Sequence, residues 1–405
     1  MTILILNYWS LHDGLTQGAT LTHLNRIIAF NHFHKVLLVT LEREVNPLSI
    51  PVSSLQLPEK VKHCPIYLRP HRINLLSKIT DFLILPKQLI KLIQDEHVQQ
   101  LVAIGTLSGS LAYLVSLKIN IPFFVAFCEP HAAYMLDNKV WNMYDPRYVY
   151  QKKWEKEQVR RAQGVLVVSE AYKKKLMHQK LIAASKIFVN RNTVDFKLFA
   201  FAGIDRISLR HQLSIPEEAT IGIYVGKYGG LYYQQEAFRI YGRCFETIPN
   251  FRLIILSPQP EHEIRQYLGQ SNIDPAKVYI ASVPHAEVPA YLSAADFAFA
   301  TIKSYPSARY CSPVKVGEYW ASGLPVLLTE GVGDDSDIIK REGGGAVFCL
   351  EEEGSLERAL QQVQQIINDP NHRREIPKLA RKYRSPERIR EAYEYFFGQS
   401  GEQQR

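Results

Sequence analysis

Cysteine is scarce in this chain, and long apolar runs are missing from it. The five cysteines among 405 residues lie far apart and form no Cys-x-x-Cys pair, which argues against a zinc site or a disulfide framework and favours a reducing compartment. No apolar run is as long as a membrane-spanning helix. The first apolar run covers only residues 3–6 and follows no basic leader, so we expect a buried strand there rather than a signal peptide.

The net positive charge of the chain lies in its first half. Residues 1–195 hold 24 Lys and Arg against 14 Asp and Glu, a net charge of +10, whereas residues 196–405 hold 24 against 26. Such an asymmetry has two interpretations. The basic half binds an anionic partner, such as nucleic acid, lipid headgroups or a phosphorylated substrate, or its excess of positive charge only keeps the protein soluble. The basic clusters at residues 151–161 and 172–176 carry no RNA-binding motif, and each is compatible with a solvated helix face. We therefore expect no nucleic-acid partner.

Short apolar runs alternate with helical patterns along the chain. The composition, 46% hydrophobic and 22% charged, is that of a globular protein, and the length suits two domains. The alternation pauses near residues 192–200 and restarts, which predicts an α/β chain with two tandem, doubly wound (Rossmann-like) parallel sheets. The predicted strands cover residues 3–6, 36–40, 101–105, 123–127, 165–169, 221–226, 251–256, 278–282, 297–301 and 326–329.

Residues just beyond the strand ends are the first candidates for binding, because ligands of doubly wound domains lie there. Gly14 and Gly18 follow the first strand and would let a ligand approach the backbone before a helix, although a plain turn explains them equally well. Their spacing is not a dinucleotide fingerprint. Glu129 and His131 follow the strand at residues 123–127, and a His beside a Glu at a strand exit favours function.

The strand at residues 221–226 is followed by a cation and glycines. Gly226, Gly229 and Gly230 clear space, backbone N–H groups can point inward, and Lys227 supplies positive charge. These features suit a diphosphate, although a surface turn with an incidental Lys is the alternative. His12, after the first strand, is a weaker candidate of the same kind as His131.

The stretch at residues 309–329 predicts a short helix that a strand follows at once. Ser312 can cap this helix, Pro313 suits its first position, and Gly323 with Pro325 ends it. The amino end of a helix offers unpaired N–H groups and a positive dipole to phosphate.

Three side chains of this predicted helix are candidates for nucleotide binding. Val314 and Lys315 lie in the first turn, where phosphate would bind. Glu318 lies about one and a half turns in, where its carboxylate can accept hydrogen bonds from ribose hydroxyls. A surface Glu in a salt bridge is the alternative for Glu318.

The motif Ser-Pro-x-Lys-x-x-Glu-Tyr-x-Ala-Ser-Gly-Leu-Pro-Val at residues 312–326 resembles the donor-site signature of retaining, family-4 glycosyltransferases that use nucleotide sugars and have the GT-B fold. Further segments resemble the same family in chain order: residues 165–176, 192–199, 224–230 and 385–397. The resemblance implies two Rossmann-like domains that face each other across a cleft. Residues 1–193 would form the acceptor-side domain and residues 194–384 the donor-binding domain, with a helix at 385–405 packing back on the first.

The resemblance also implies a reaction: transfer of a sugar from a nucleoside-diphosphate sugar to a saccharide or lipid-linked acceptor, with retained anomeric configuration. It implies no catalytic metal and no cofactor beyond the nucleotide sugar. Lys227 and Lys315 would meet the diphosphate charge, and Glu318 would hold the ribose. His131, assisted by Glu129, would lie beside the donor sugar.

The basic first domain suits an acceptor that carries phosphate, such as a lipid diphosphate. We therefore expect a cytoplasmic protein of bacterial surface polysaccharide or glycolipid assembly. Peripheral contact with the inner face of the cell membrane would involve the predicted helix at residues 147–162 and the run Lys173–Lys175.

Two positions depart from the family pattern. Tyr310 stands where the family has the first Glu of its Glu-x7-Glu pair, and Tyr232 stands where it has a second basic residue. We expect Lys315 to replace the missing cation. Two alternatives stay open: a catalytically silent subunit that binds donor or acts as a scaffold, and a sugar-nucleotide epimerase, which would need paired acid–base carboxylates and histidines.

Overall fold

The computed structural model describes residues 1–11, 14–30, 32–42, 57–68 and 74–402. The chain divides into two units, one formed by Met1–Asn190 together with Pro386–Arg405 and the other by Arg191–Ser385.

The first unit is built on a parallel sheet that has seven strands within the described residues. Along the chain the strands are β1 (Thr2–Asn7), β2 (Lys35–Glu42), β3 (Val61–Tyr67), β4 (Gln100–Ile104), β5 (Phe123–Cys128), β6 (Gly164–Val167) and β7 (Ile187–Val189). The helices between them are α1 (Gly14–Ile28), α2 (Asn74–Asp95), α3 (Thr106–Ser116), α4 (His131–Asp137), α5 (Pro146–Arg161) and α6 (Glu170–His178). The strand order is β3-β2-β1-β4-β5-β6-β7. Every residue of β1 and β4 is buried, as expected for central strands with both faces covered.

The second unit repeats this arrangement with six parallel strands among the described residues, in the order β10-β9-β8-β11-β12-β13. The strands are β8 (Ile221–Val225), β9 (Arg252–Leu256), β10 (Val278–Ala281), β11 (Phe297–Ala300), β12 (Val326–Thr329) and β13 (Gly345–Phe348). The helices are α7 (Gly203–Gln212), α8 (Gln235–Thr247), α9 (Glu261–Gln270), α10 (Val288–Ala294), α11 (Val314–Ala321), α12 (Asp335–Glu342), α13 (Ser355–Asn368) and α14 (His372–Arg384). The predicted α/β class and the two doubly wound sheets are confirmed.

Three strands were not predicted, namely β3, β7 and β13. Each lies at an edge of its sheet. Their sequences are short or broken by polar residues and Pro, as in VKHCPIY of β3 and GAVF of β13, so they lack the continuous apolar run of a central strand.

The last helix, α15 (Glu387–Glu402), belongs to the first unit. Its buried aromatic side chains join the core formed by β1, β2 and β4, and the Tyr393 hydroxyl lies 2.7 Å from Nδ1 of the buried His23. The ring of Phe396 lies over Gly164, where an added Cβ would be 2.0 Å from Phe396 Cε1. Gly164 therefore leaves the space that lets α15 pack on the sheet.

We predict that Gly164→Ala lowers the free energy of unfolding by about 1–3 kcal/mol, because the new methyl group overpacks against the Phe396 ring. Urea denaturation measures this loss. The matched control in the same unit is Gly18→Ala, where a Cβ would meet no atom within 4 Å, and where Ala should leave stability equal or higher. Equal stability of the two variants would contradict the packing argument.

Candidate functional site

The ammonium of Lys315, in the first turn of α11, is buried beside the end of β8. A Cβ at Gly226 would lie 2.9 Å from Lys315 Nζ, and Gly226 has a φ of 138° that suits glycine alone. Nζ lies 4.0 Å from the ring centroid of Tyr232 and 4.7 Å from that of Tyr224. No acceptor among the described residues forms a hydrogen bond with Nζ. Burial lowers the pKa of Lys315 to about 7.

The amino end of α11 differs from the prediction. Pro313 occupies the N-cap position and forms no side-chain hydrogen bond there. Ser312 Oγ instead accepts hydrogen bonds from Asn192 N–H, at 3.0 Å, and from the Arg384 guanidinium. The predicted capping role of Ser312 is therefore wrong, because its hydroxyl is bound to the linker and to Arg384. The first turn, which begins at the exposed Val314, has no side-chain cap from its N-cap residue.

A buried ion pair holds the residues that precede α11 in place. The fully buried guanidinium of Arg384 donates to both carboxylate oxygens of Asp335, at 2.6 Å each. It also donates to Asn192 O at 3.2 Å. An added Cβ at Gly317 would lie 2.7 Å from Val194 and 3.1 Å from Arg384 Cγ, so Gly317 makes room for protein atoms on that face of α11.

Glu318 lies three residues beyond Lys315 in α11. Its Oε1 is 3.2 Å from Nε2 of His285, and 14% of the Glu318 side chain is exposed against 66% of the His285 side chain. The hydrogen bond that His285 donates to the Glu318 carboxylate raises the pKa of His285. His285 is not among the predicted site residues, although it follows β10 just beyond a strand end, where polar residues are expected to mark the site.

The loop after β8 is held by a hydrogen bond from a side chain of the strand to the loop backbone. Gly229 has a φ of 84°, and the Tyr224 hydroxyl donates to Lys227 O at 2.6 Å. The Lys227 side chain is exposed. The structure therefore brings Gly226, Lys315 and this loop together at the carboxyl end of β8.

The two departures from the family pattern have different surroundings. Tyr232 lies directly against Lys315 of α11. The ammonium of Lys315 is therefore close to the position where the family pattern has a second basic residue. Tyr310 ends a single turn of 3-10 helix, Ala308–Tyr310, just before α11.

Glu129 and His131, two further predicted site residues, lie in the first unit at the corner between β5 and α4. His131 is the first residue of α4, and its ring lies 5.5 Å from the Trp141 ring in an edge-on arrangement. Burial raises the pKa of the Glu129 carboxyl to about 7. Thr106 Oγ1 donates to Glu129 O at 2.7 Å and accepts from Glu129 N–H at 3.1 Å. Glu129 and His131 are thus together at the carboxyl end of the first sheet.

Gly14 and Gly18 lie inside α1, whereas the sequence analysis placed them in a loop before the helix. Gly14 is the first residue of α1, and Gly18 is exposed with no atom within 4 Å of an added Cβ. The expected position was wrong because the helix begins earlier than the two glycines suggested. His12 lies outside the described residues.

Neither a metal centre nor a membrane span is found in the part of the chain that the structure describes. No three or more His, Cys, Asp or Glu side chains there are grouped so as to hold a metal ion. No helix there is both long enough and apolar enough to cross a membrane.

Comparison with known proteins identifies the fold. No protein-family model matches the chain, and no curated protein matches it. Among solved structures, HepE of Anabaena in complex with UDP is similar with a TM-score of 0.71 and 14% identity, over 98% of this chain and 100% of that one. A glycosyltransferase from Rickettsia africae has a TM-score of 0.69 and 14% identity, over 98% of both chains.

Two further similarities show how widely the fold is used. WaaG, a glycosyltransferase involved in lipopolysaccharide biosynthesis, has a TM-score of 0.67 and 13% identity over 96% of this chain and 98% of that one. A UDP-N-acetylglucosamine 2-epimerase has a TM-score of 0.63 and 12% identity over 99% and 96%. At such low identity the likeness establishes architecture rather than activity. This chain has the GT-B fold.

Proposed function

We propose that this chain is a retaining, metal-independent glycosyltransferase, which transfers a sugar from a nucleoside-diphosphate sugar to a saccharide or lipid-linked acceptor. We assign it to the assembly of a bacterial surface polysaccharide or glycolipid. The observation that carries the proposal is the buried ammonium of Lys315, which has no hydrogen-bond partner among the described residues and lies beside Gly226.

A diphosphate is the ligand that suits this arrangement. A buried ammonium is costly unless an anion pairs with it, and the amino end of α11 adds N–H groups and a positive dipole on the same side of the unit. Lys227 contributes a second cation from the loop after β8. Together these groups would stabilise the negative charge that develops on the leaving diphosphate.

Glu318 is the proposed ribose ligand. Its present partner, His285, is exposed and contacts it at 3.2 Å, so ribose hydroxyls can replace that hydrogen bond at small cost. A carboxylate that accepts two hydroxyl hydrogen bonds also discriminates ribonucleotides from ligands that lack these groups.

His131 and Glu129 are the proposed contacts of the donor sugar, where they would orient it and stabilise its oxocarbenium-like transition state. We assign no protein nucleophile. The donor's own β-phosphate would accept the proton of the attacking hydroxyl, in keeping with retention.

We predict that the chain binds one nucleoside diphosphate selectively and that Glu318→Ala weakens this binding by roughly tenfold to a hundredfold, since hydrogen bonds to a carboxylate are lost. Calorimetry and thermal shift across UDP, GDP, ADP and dTDP, with their common sugars, measure the effect. The melting temperature without ligand should stay nearly unchanged.

The matched control is Glu357→Ala, which removes a carboxylate of the same unit paired with Arg243 at 2.8 Å and should leave binding intact. Absence of binding across the whole panel would favour a silent scaffold subunit. Conversion of the donor sugar without any acceptor would favour an epimerase.

We further predict that diphosphate binding takes up close to one proton at pH 8. The pKa of Lys315, about 7 without ligand, rises when an anion contacts Nζ, so the amine is protonated on binding. Calorimetry of UDP, or of whichever nucleotide binds, in buffers of different ionisation enthalpy measures the uptake. Lys315→Met should abolish it, whereas the exposed Lys277→Met should not. Wild-type binding without proton uptake would contradict contact with Lys315.

The same pKa also determines whether stability rises or falls with pH. Because the pKa of Lys315 is lower in the folded than in the unfolded chain, the folded state holds fewer protons between the two values, and stability rises with pH above about 7. The Lys315→Met variant should lose this part of the rise in ligand-free urea denaturation.

Peripheral contact with the cytoplasmic face of the membrane is the proposed way to reach a lipid-linked acceptor. Lys152, Lys153 and Lys156 of α5 are exposed, and the large apolar side chains of Val149 and Tyr150 are exposed on the same helix. Lysines beside aromatic side chains favour anionic lipid interfaces. Of the run 173–175, Lys174 alone is fully exposed, so α5 is the stronger contact.

We predict that the protein sediments with phosphatidylglycerol vesicles at low salt and is released as salt is raised, because the lysines act within a Debye length of the surface. Changing Lys152, Lys153 and Lys156 together to Gln should weaken binding by about two orders of magnitude. A protein that stays in solution at low salt would rule out the membrane contact.

A further inference from the structure

One face of α5 is polar and buried or half-buried, although its sequence is compatible with a solvated helix face. Gln151, Glu155 and Gln158 have the spacing i, i+4, i+7 and therefore share a face. Gln151 and Gln158 are 3% and 0% exposed, and α5 packs against α3 and α4. Buried polar side chains need hydrogen-bond partners, so this face has a specific structural task.

The partners lie on α3. Gln151 Nε2 and Gln158 Nε2 each donate to Ser110 Oγ at 3.2 Å. Gln158 Nε2 also lies 3.2 Å from Thr106 O, which accepts from Ser110 Oγ at 3.1 Å. Gln151 Nε2 is 3.2 Å from Glu155 Oε1, so the carboxylate of Glu155 is tied into the same network.

The network ends on the corner that carries His131. Glu155 Oε1 accepts a hydrogen bond from Ala132 N–H at 2.8 Å, in the first turn of α4. On the other side of His131, Thr106 exchanges two hydrogen bonds with the backbone of Glu129. His131 N–H itself donates to Glu129 O at 3.0 Å. Side chains from α3 and α5 therefore hold the backbone on both sides of His131.

This corner needs such support because its backbone is irregular. Phe127 has a φ of 52°, a region that residues other than glycine rarely adopt. The pairing of β5 with β6 shifts register between Val125 and Cys128. Irregular backbone of this kind persists where surrounding contacts fix it.

Burying the Glu155 carboxyl group costs free energy, as the shift of its pKa indicates. Burial raises the pKa of Glu155 to about 8, against the lowering effect of its two hydrogen bonds and of Lys175 on α6. Glu129 adds a like charge. A carboxyl group accepts the Ala132 hydrogen bond in either protonation state, so its position, and not its charge, is what the corner uses.

We propose that Glu155 is a positioning residue, whose carboxyl group fixes the first turn of α4 and thereby the orientation of His131. This inference rests on the proposed function, in which His131 contacts the donor sugar; Glu155 itself touches no reacting atom. A group that acts in this way affects the turnover step more than the affinity for the nucleotide, which the second unit would bind.

Three variants test the proposal by steady-state kinetics with the donor and acceptor that support transfer. Glu155→Leu should lower kcat by about a hundredfold, because misplacement of a contact by about 1 Å costs that much, while the Kd for the nucleoside diphosphate stays within twofold. Glu155→Gln, which keeps an acceptor oxygen, should retain kcat within a few-fold. The control Glu157→Leu removes a nearby carboxylate paired with Arg160 at 2.8 Å and should leave both values unchanged.

A double-mutant cycle separates positioning from general damage. If Glu155 acts through His131, the variant His131→Ala/Glu155→Leu should be as active as His131→Ala alone. Losses that multiply, or a nucleotide Kd that rises together with the fall in kcat, would overturn the proposal.

Hydrogen exchange of the Ala132 amide tests the contact independently of catalysis. The rate should rise at least about tenfold in Glu155→Leu and stay at the wild-type value in Glu155→Gln. If no donor or acceptor supports transfer by the wild type, the proposed function fails, and exchange together with the His131 ring NMR shifts decides whether Glu155 holds the corner. Unchanged exchange in Glu155→Leu would overturn the inference.

Discussion

The buried ion pair between Arg384 and Asp335 is the constraint on which the second unit's site depends. Loss of one partner from such a pair typically costs about 3–5 kcal/mol, since the other charge is left without compensation. The same guanidinium donates to Asn192 O and to Ser312 Oγ, so it joins the linker, the entry to α11 and the start of α12. Where α11 begins, and hence where Lys315 lies, follows from this one buried charge.

Both units keep ionisable side chains in poorly solvated places near the carboxyl ends of their sheets. Burial moves the pKa of Lys315 down to about 7 and the pKa of Glu129 up to about 7. Shifts of this kind cost folding free energy and cluster at functional sites. Hydrogen bonds compensate part of the cost at Glu155, where backbone and amide donors reach the carboxylate. At Lys315 two aromatic rings compensate part of it, and the ammonium forms no hydrogen bond with the described residues.

The sequence predicts the centre of each sheet well and its edges poorly, for a physical reason. A central parallel strand is covered on both faces and must be continuously apolar, whereas β3, β7 and β13 lie at edges and need no such run. The site shows the same division between local and distant causes. Ser312 has the local sequence features of a helix cap, but its hydroxyl accepts a hydrogen bond from Arg384, 72 positions later. His285 contacts Glu318, 33 positions away, and Glu155 accepts from the Ala132 N–H, 23 positions away, so no local pattern predicts these two contacts.

In the loop after β8, Tyr232 stands at a position where the family that the motif resembles has a basic residue. Here the cation comes from α11 and lies against the face of Tyr232, at 4.0 Å from the ring centroid. A ring face attracts a cation but cannot replace its hydration shell, so the ammonium is less stable here than in water. An anion that reached Nζ would therefore restore solvation that folding removed, and the protonation of Lys315 would be part of the proposed binding equilibrium.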